Sequence, residues 1–225
     1  DNQAVFASLR YFSLGDIQFT DALGNDLTSF RPREFGIDVG YSRRLNAKHG
    51  VGIALKYINS NLASGFNAGG TTYKTGSSVA ADLSYYGNAV KTTGDGWAWG
   101  AVLSNLGSKI SYTDNADAKD FIPANLGFGA NYTNKFNNVN QISIGLEVNK
   151  LLVPTPPSDS AGLVDYRNKS VIGSWFSSFG DAPDGFGEEM KEFAVSLGAE
   201  YWYNNQFALR AGYHYENKYK GNRRY

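Results

Sequence analysis

The chain has 225 residues, with 21 Lys and Arg balancing 21 Asp and Glu, so its net charge is zero. That balance argues against nucleic acid as a partner and against acidic membranes as an organising attraction. The absence of Cys excludes disulfides and thiolate chemistry. The longest apolar run, Ala4 to Ala7, is far short of the ~20 residues of a membrane-crossing helix. A membrane β-barrel lacks such runs too, so this exclusion does not make the chain soluble. The chain begins at Asp1 without Met or an apolar leader, which reads as a removed signal peptide or a fragment.

Strict alternation dominates the chain and predicts strands, whose successive side chains point to opposite faces. The first strand carries Val5, Ala7, Leu9 and Tyr11 and is expected to run on to Thr20 past a kink at Gly15. The next three carry Phe35, Ile37, Val39, Tyr41; then Val51, Ile53, Leu55, Tyr57; then Val79, Ala81, Leu83, Tyr85. Three more follow at Trp97 to Leu103, Leu126 to Tyr132 and Ile142 to Val148. The last two span Phe193 to Tyr203 and Phe207 to Tyr215, making nine. None of these alternating apolar positions is charged. The opposite face carries Arg10, Asp38, Lys56, Asp82, Glu147, Glu200, Arg210 and His214 among Gly, Asn and Ser.

The links alternate short and long without exception. Long or medium links at 21–34, 64–75, 105–122 and 151–192 interleave with short turns at 46–50, 91–95, 134–139 and 204–206. Outer-membrane barrels pair short periplasmic turns with longer extracellular loops. A ten-residue strand rises about 33 Å and, at about 45° tilt, spans roughly 23 Å of membrane. A soluble β-sandwich or lipocalin-like barrel with the apolar face inward is the competing fold. Its water-facing side would favour larger polar residues, whereas this polar face is rich in Gly, which suggests a narrow or plugged lumen. The expectation is an all-β, transmembrane antiparallel β-barrel. Nine is odd where single-chain barrels are even, and a barrel in lipid has no open edge. Residues 1–225 therefore read as one outer-membrane barrel domain lacking strands at both ends.

No catalytic, cofactor or metal site is legible. An outer-membrane phospholipase would need a His beside a Ser on the lipid side. His49 is expected to be a solvated turn residue, and His214 to point into the lumen beside Arg210 and Glu216. The polar-face charges read as lumen ion pairs. The link 151–192 departs from ordinary loop composition. After the stiff exit Leu151 to Pro157 it carries Leu163, Val164, Val171, Ile172, Trp175, Phe176, Phe179 and Phe186. Asp181 or Asp184 is expected to cap a short helix holding Glu188, Glu189, Met190 and Lys191. So many apolar groups imply either a lid on the barrel or a docking surface.

Four stretches carry a family resemblance: Ser8 to Asp21 (SLRYFSLGDIQFTD), Phe35 to Leu45 (FGIDVGYSRRL), Ser178 to Glu189 (SFGDAPDGFGEE) and Leu209 to Tyr225 (LRAGYHYENKYKGNRRY). They resemble the PorV family, an outer-membrane component of the type IX secretion system; the PorQ and PorP barrels are near competitors. The resemblance implies a FadL-like barrel of about fourteen strands in the outer membrane of a Gram-negative bacterium. It implies a non-enzymatic shuttle that binds the C-terminal signal domain of secreted cargo. Its further partners would be the lateral opening of a SprA-type translocon barrel, a PorU-type sortase complex and outer-membrane lipid, with no cofactor. The apolar residues of 151–192 are the partner-binding candidates. A FadL-like conduit for hydrophobic small molecules is the alternative. A lipid A deacylase role has also been associated with the family; the residues present give it no support.

Overall fold

The computed structural model describes residues 2–68, 70–115, 119–157, 160–218 and 220. Its strands are β1 (Gln3–Ser13), β2 (Ile17–Thr20), β3 (Asp26–Phe30), β4 (Arg33–Arg44), β5 (His49–Asn61), β6 (Asn67–Ala68), β7 (Thr71–Thr72), β8 (Gly76–Asn88), β9 (Gly96–Gly107), β10 (Asn125–Lys135), β11 (Asn140–Leu151), β12 (Phe193–Tyr203) and β13 (Phe207–Tyr215). Nine of them form one antiparallel sheet in the order β1-β4-β5-β8-β9-β10-β11-β12-β13. These are the nine expected strands, each paired with its neighbours in the chain. The sheet is open, with β1 and β13 as its edges.

The link between β1 and β4 differs from expectation. The first strand stops at Ser13, and β2 pairs with β3 in a separate hairpin. Gly15 turns the chain with φ of 77°, where L side chains are strained. Arg31 then clamps the hairpin base by donating two hydrogen bonds to Asp16, at 2.8 and 2.7 Å. A smaller hairpin, β6 with β7, occupies the next long link. Phe19 stacks on Phe66 between the two hairpins, with ring centroids 4.6 Å apart.

The two faces of the sheet have opposite fates. Leu9, Leu55 and Leu209 on the apolar face remain 70, 64 and 73% exposed. That face is aliphatic in the middle, around Val39, Ile53, Leu83 and Leu197, and aromatic at both ends. Tyr41, Tyr85, Trp97 and Tyr132 lie toward the short turns, and Tyr11, Phe35, Tyr57 and Phe193 toward the long links. Trp97 and Tyr132 pack with ring centroids 5.0 Å apart. His49 belongs to this band rather than to the turn. It opens β5, bonds to the Tyr85 hydroxyl through Nδ1 at 2.6 Å and stacks on that ring.

The buried apolar cluster among the described residues lies on the other face. Ile110 and Ile122, from the link between β9 and β10, pack on Ala80, with Ile58 and Tyr112 beside them. Register places Ala80 opposite Lys56 on the glycine-rich face. The link therefore folds inward over that face. Tyr112 donates to Ser60 Oγ at 2.9 Å, and Ser60 donates to Glu34.

Close packing explains particular glycines on both faces. A Cβ on Gly87 would lie 2.2 Å from the Trp99 ring, and one on Gly40 would lie 2.2 Å from the Phe6 ring. Gly198 has open space around it. Gly87→Val is expected to cost about 1–3 kcal/mol as Trp99 is displaced, whereas Gly198→Ala should stay within about 0.5 kcal/mol. Denaturant midpoints with near-UV circular dichroism of the tryptophans check both.

Candidate docking site

The polar-face charges meet in pairs across neighbouring strands. Arg10 Nη2 lies 2.6 Å from Asp38, which also accepts from Ser8 Oγ at 2.8 Å. Lys56 Nζ lies 2.6 Å from Asp82 and donates to Asn105 Oδ1 at 2.9 Å. A bulge in β9 surrounds this pair: Asn105 takes φ of 56° and its backbone N–H donates to Asp82 at 2.8 Å. Arg210 pairs with Glu200 and stacks over the Trp202 ring. Glu147 accepts from Asn149 at 2.5 Å. His214 Nδ1 is 3.0 Å from Ser196 Oγ on the neighbouring strand. This Ser–His pair lies on the glycine-rich face, not the apolar one.

The long link after β11 is more structured than the sequence suggests. It holds three helices, α1 (Ser160–Asn168), α2 (Val171–Ser177) and α3 (Phe186–Glu189), and a final 3-10 turn, Met190–Glu192. Ser170 caps α2 by accepting the Gly173 N–H at 3.0 Å. The packing of α2 is inverted. Ser174 and Ser178, four residues apart, are fully buried, while Ile172 and Phe176, also four apart, are 63 and 74% exposed. The buried serines return their hydroxyl hydrogens to the carbonyls of Val171 and Trp175, at 2.6 and 2.9 Å. Val164, Phe179 and Phe186 are exposed too, and Leu163, Val171 and Trp175 are half-buried.

Two anchors hold this link against the wall and its neighbour. The first is Lys109, from the link between β9 and β10. Its ammonium donates to the carbonyls of Arg167 and Lys169, at 2.6 and 2.7 Å, closing the C-terminal end of α1. It also lies 4.1 Å from the Phe121 ring centroid, and Phe121 meets Tyr166 edge-on. The second anchor is Lys150, which continues the apolar alternation of β11 after Val148. Its side chain is 1% exposed, and its ammonium lies 2.6 Å from both Glu189 and Glu192. The rings of Phe179 and Phe193 flank it, each centroid 5.5 Å away. Lys220 closes the group from the chain's end, 2.8 Å from Glu192 and 3.4 Å from Glu188.

These contacts correct the expected cap. Gly185 is the N-cap of α3 and offers no side chain. The Asp184 backbone N–H donates to the Glu188 carboxylate at 2.9 Å, and the Asp181 carboxylate accepts from Thr155 N at 3.0 Å. Asp181, Glu189 and Glu192 bring carboxylate oxygens within 4.8 Å of one another, spacing that would suit a metal ion. The Lys150 ammonium supplies the compensating positive charge there. Lys150 was the residue missed by periodicity. Its signal is a single Lys on an otherwise apolar strand face, followed by the acids of Glu188, Glu189 and Glu192.

Chain-sequential strands, one apolar face, an ion-paired face and alternating links define an up-and-down antiparallel β protein with its elaborated loops at one end. The family model for the type IX secretion system protein PorV matches residues 1–158, and the chain belongs to that family. It is therefore a type IX secretion system component. No curated protein sequence matches the chain. The matched stretch holds β1 to β11 and two of the four resembling segments, Ser8 to Asp21 and Phe35 to Leu45. Ser178 to Glu189 and Leu209 to Tyr225 lie beyond it, and residues 219 and 221–225 of the latter lie outside the described residues.

Burial alone would raise the Glu192 carboxyl, but hydrogen bonds and charge from Lys150 and Lys220 outweigh it and hold it below the usual range. The Asp184 N–H and then Lys220 hold Glu188 low as well. A lowered carboxyl contributes stability that is fully present above its unfolded value, near about 4.3, and lost as pH falls through its folded value. Hydrogen-exchange protection across 181–193, relative to the unfolded chain at the same pH, should therefore fall below about pH 4 while the sheet amides stay protected. Lys150→Met leaves the buried Glu189 carboxylate without its cation, while Glu192 keeps Lys220, a loss of about 3–5 kcal/mol. Limited proteolysis should then cut within 178–192 at neutral pH, where the unaltered protein resists.

Proposed function

We propose that this chain forms part of the wall of an outer-membrane β-barrel in a Gram-negative bacterium, similar to FadL barrels of about fourteen strands. Supporting this are the exposed apolar face, uncharged over the strand interiors, and its two aromatic ends, matching the apolar band and interfacial girdles of such barrels. The inward-folded link over the glycine-rich face suits an occupied lumen. In this reading 151–192 is an extracellular loop, and its function is non-enzymatic protein recognition. It binds the C-terminal signal domain of secreted cargo, docks at the lateral opening of a SprA-type translocon and passes cargo to a PorU-type sortase complex.

The observation that carries this reading is the inverted helix α2. A helix under solvent would bury Ile172 and Phe176 and expose its serines. Here Lys109 and Lys150 anchor the segments on either side of that helix. Rigidly presented apolar groups are what a protein partner needs as central anchors. The conduit alternative would need an apolar path through the lumen, and the Arg10–Asp38, Lys56–Asp82 and Glu200–Arg210 pairs line that face instead.

The joint variant Ile172→Asp and Phe176→Asp should weaken binding to a purified cargo signal domain by about 2 kcal/mol or more, roughly 30-fold. Strand content and heat stability should stay unchanged, because both side chains already face solvent. Unchanged cargo affinity, with fatty acid co-purifying in the barrel, would replace the shuttle with the conduit.

A further inference from the structure

The neutral sum of charges conceals an uneven distribution. At the short-turn end stand Arg43, Arg44, Lys48, Lys91 and Lys135, and the described residues there include one acid, Asp95. Asp95 is already engaged, accepting the Lys135 backbone N–H at 2.6 Å. Among the described residues, none of these five cations has a carboxylate within ion-pair distance. Cations elsewhere are commonly matched, as Arg10, Arg31, Lys56, Lys74, Lys150 and Arg210 are. Unmatched like charges gathered on one rim repel each other, and an external anion relieves that repulsion.

Three of the five converge on a cleft. Arg43, Arg44 and Lys48 border a space of about 410 Å³ that reaches His49 and Tyr85. The turn beneath it is held by one side-chain and one backbone acceptor. Asn46 Oδ1 accepts the Lys48 N–H at 2.8 Å, and the Lys48 carbonyl accepts from Asn88 N at 2.7 Å. One side of the cleft is thus the aromatic band of the apolar face, and the other is open to water. Aromatic rings at such a boundary mark the level of lipid headgroups. An amphipathic ligand with a phosphate at its polar end fits both sides at once.

We infer that this rim is a binding site for the headgroup of an anionic phospholipid, with Arg43, Arg44 and Lys48 around the phosphate. Lys91 and Lys135 extend the positive field along the adjacent turns. The inference rests on the membrane reading above. It assigns the short-turn end to a leaflet carrying anionic phospholipid, and it orients the wall by charge independently of loop length.

The test uses the full chain in vesicles of equal phosphatidylglycerol and phosphatidylcholine. Flotation and resistance to alkaline wash report insertion, and native mass spectrometry after mild detergent release reports the lipid retained. The expected result is insertion with phosphatidylglycerol retained over phosphatidylcholine on the order of tenfold. The combined variant Arg43→Gln, Arg44→Gln, Lys48→Gln should insert and lose that preference. A variant of equal charge change, Arg33→Gln, Lys119→Gln, Lys169→Gln, should keep it. Should the first triple variant fail to insert, the single Arg44→Gln and Lys48→Gln variants carry the same comparison. Insertion without a lipid preference, or a preference equally reduced in both triple variants, overturns this site and leaves the membrane reading standing. Failure of the unaltered chain to insert overturns both.

Discussion

A pleated strand cannot bury one face without presenting the other, and this chain repeats that constraint across nine adjacent strands. Every apolar residue placed on one side commits its neighbours to the opposite side. The apolar side carries no charge over the strand interiors, so no soluble element of the chain is drawn to cover it. The polar side consequently takes the charges of the strand interiors, and most of these are close enough across adjacent strands to neutralise one another. Backbone pairing with the next strand in sequence does the rest, without crossovers. The unusual features of the molecule sit where this regularity ends, at the two rims.

At the long-link rim the order is imposed by electrostatics more than by apolar burial. Lys109 caps one helix from a neighbouring link, and Lys150 gathers the acids of the last helical turn. Both ammonium groups also lie against aromatic rings, which tolerate a desolvated cation better than aliphatic surface does. Because charges and buried serines hold the inside of the loop, its apolar side chains are released to the outside. That division suits a type IX secretion component whose partners are other proteins.

Period-two patterning made the wall readable, since each strand is long and its apolar set unbroken. The same patterning hid what was short. The hairpin from Ile17 to Phe30 has too few alternating positions to separate it from the first strand, and Gly15 looked like a kink rather than a stop. Helix α2 defied a helical reading because its buried stripe is Ser174 and Ser178, residues that pattern analysis assigns to water. The bulge at Asn105 needed a left-handed backbone that only its partner Asp82 makes evident. Lys150 was overlooked because its compensating acids arrive about forty residues later in the chain. A zero net charge likewise gave no hint that Arg43, Arg44 and Lys48 stand together unmatched.

The burial of Lys150 bears on more than the loop. It occupies the last rung of β11's apolar side, directly across from Leu126 on β10 and Phe193 on β12. A slip of two residues in either pairing would keep every apolar side chain on its own face, yet it would move this ammonium about 7 Å along the sheet, away from Glu189 and Glu192. Period-two alternation by itself does not tell such an alignment from the native one. A single cation met by two acids therefore acts as an alignment pin for three strands, and the loop that exposes Ile172 and Phe176 also sets the wall that carries it.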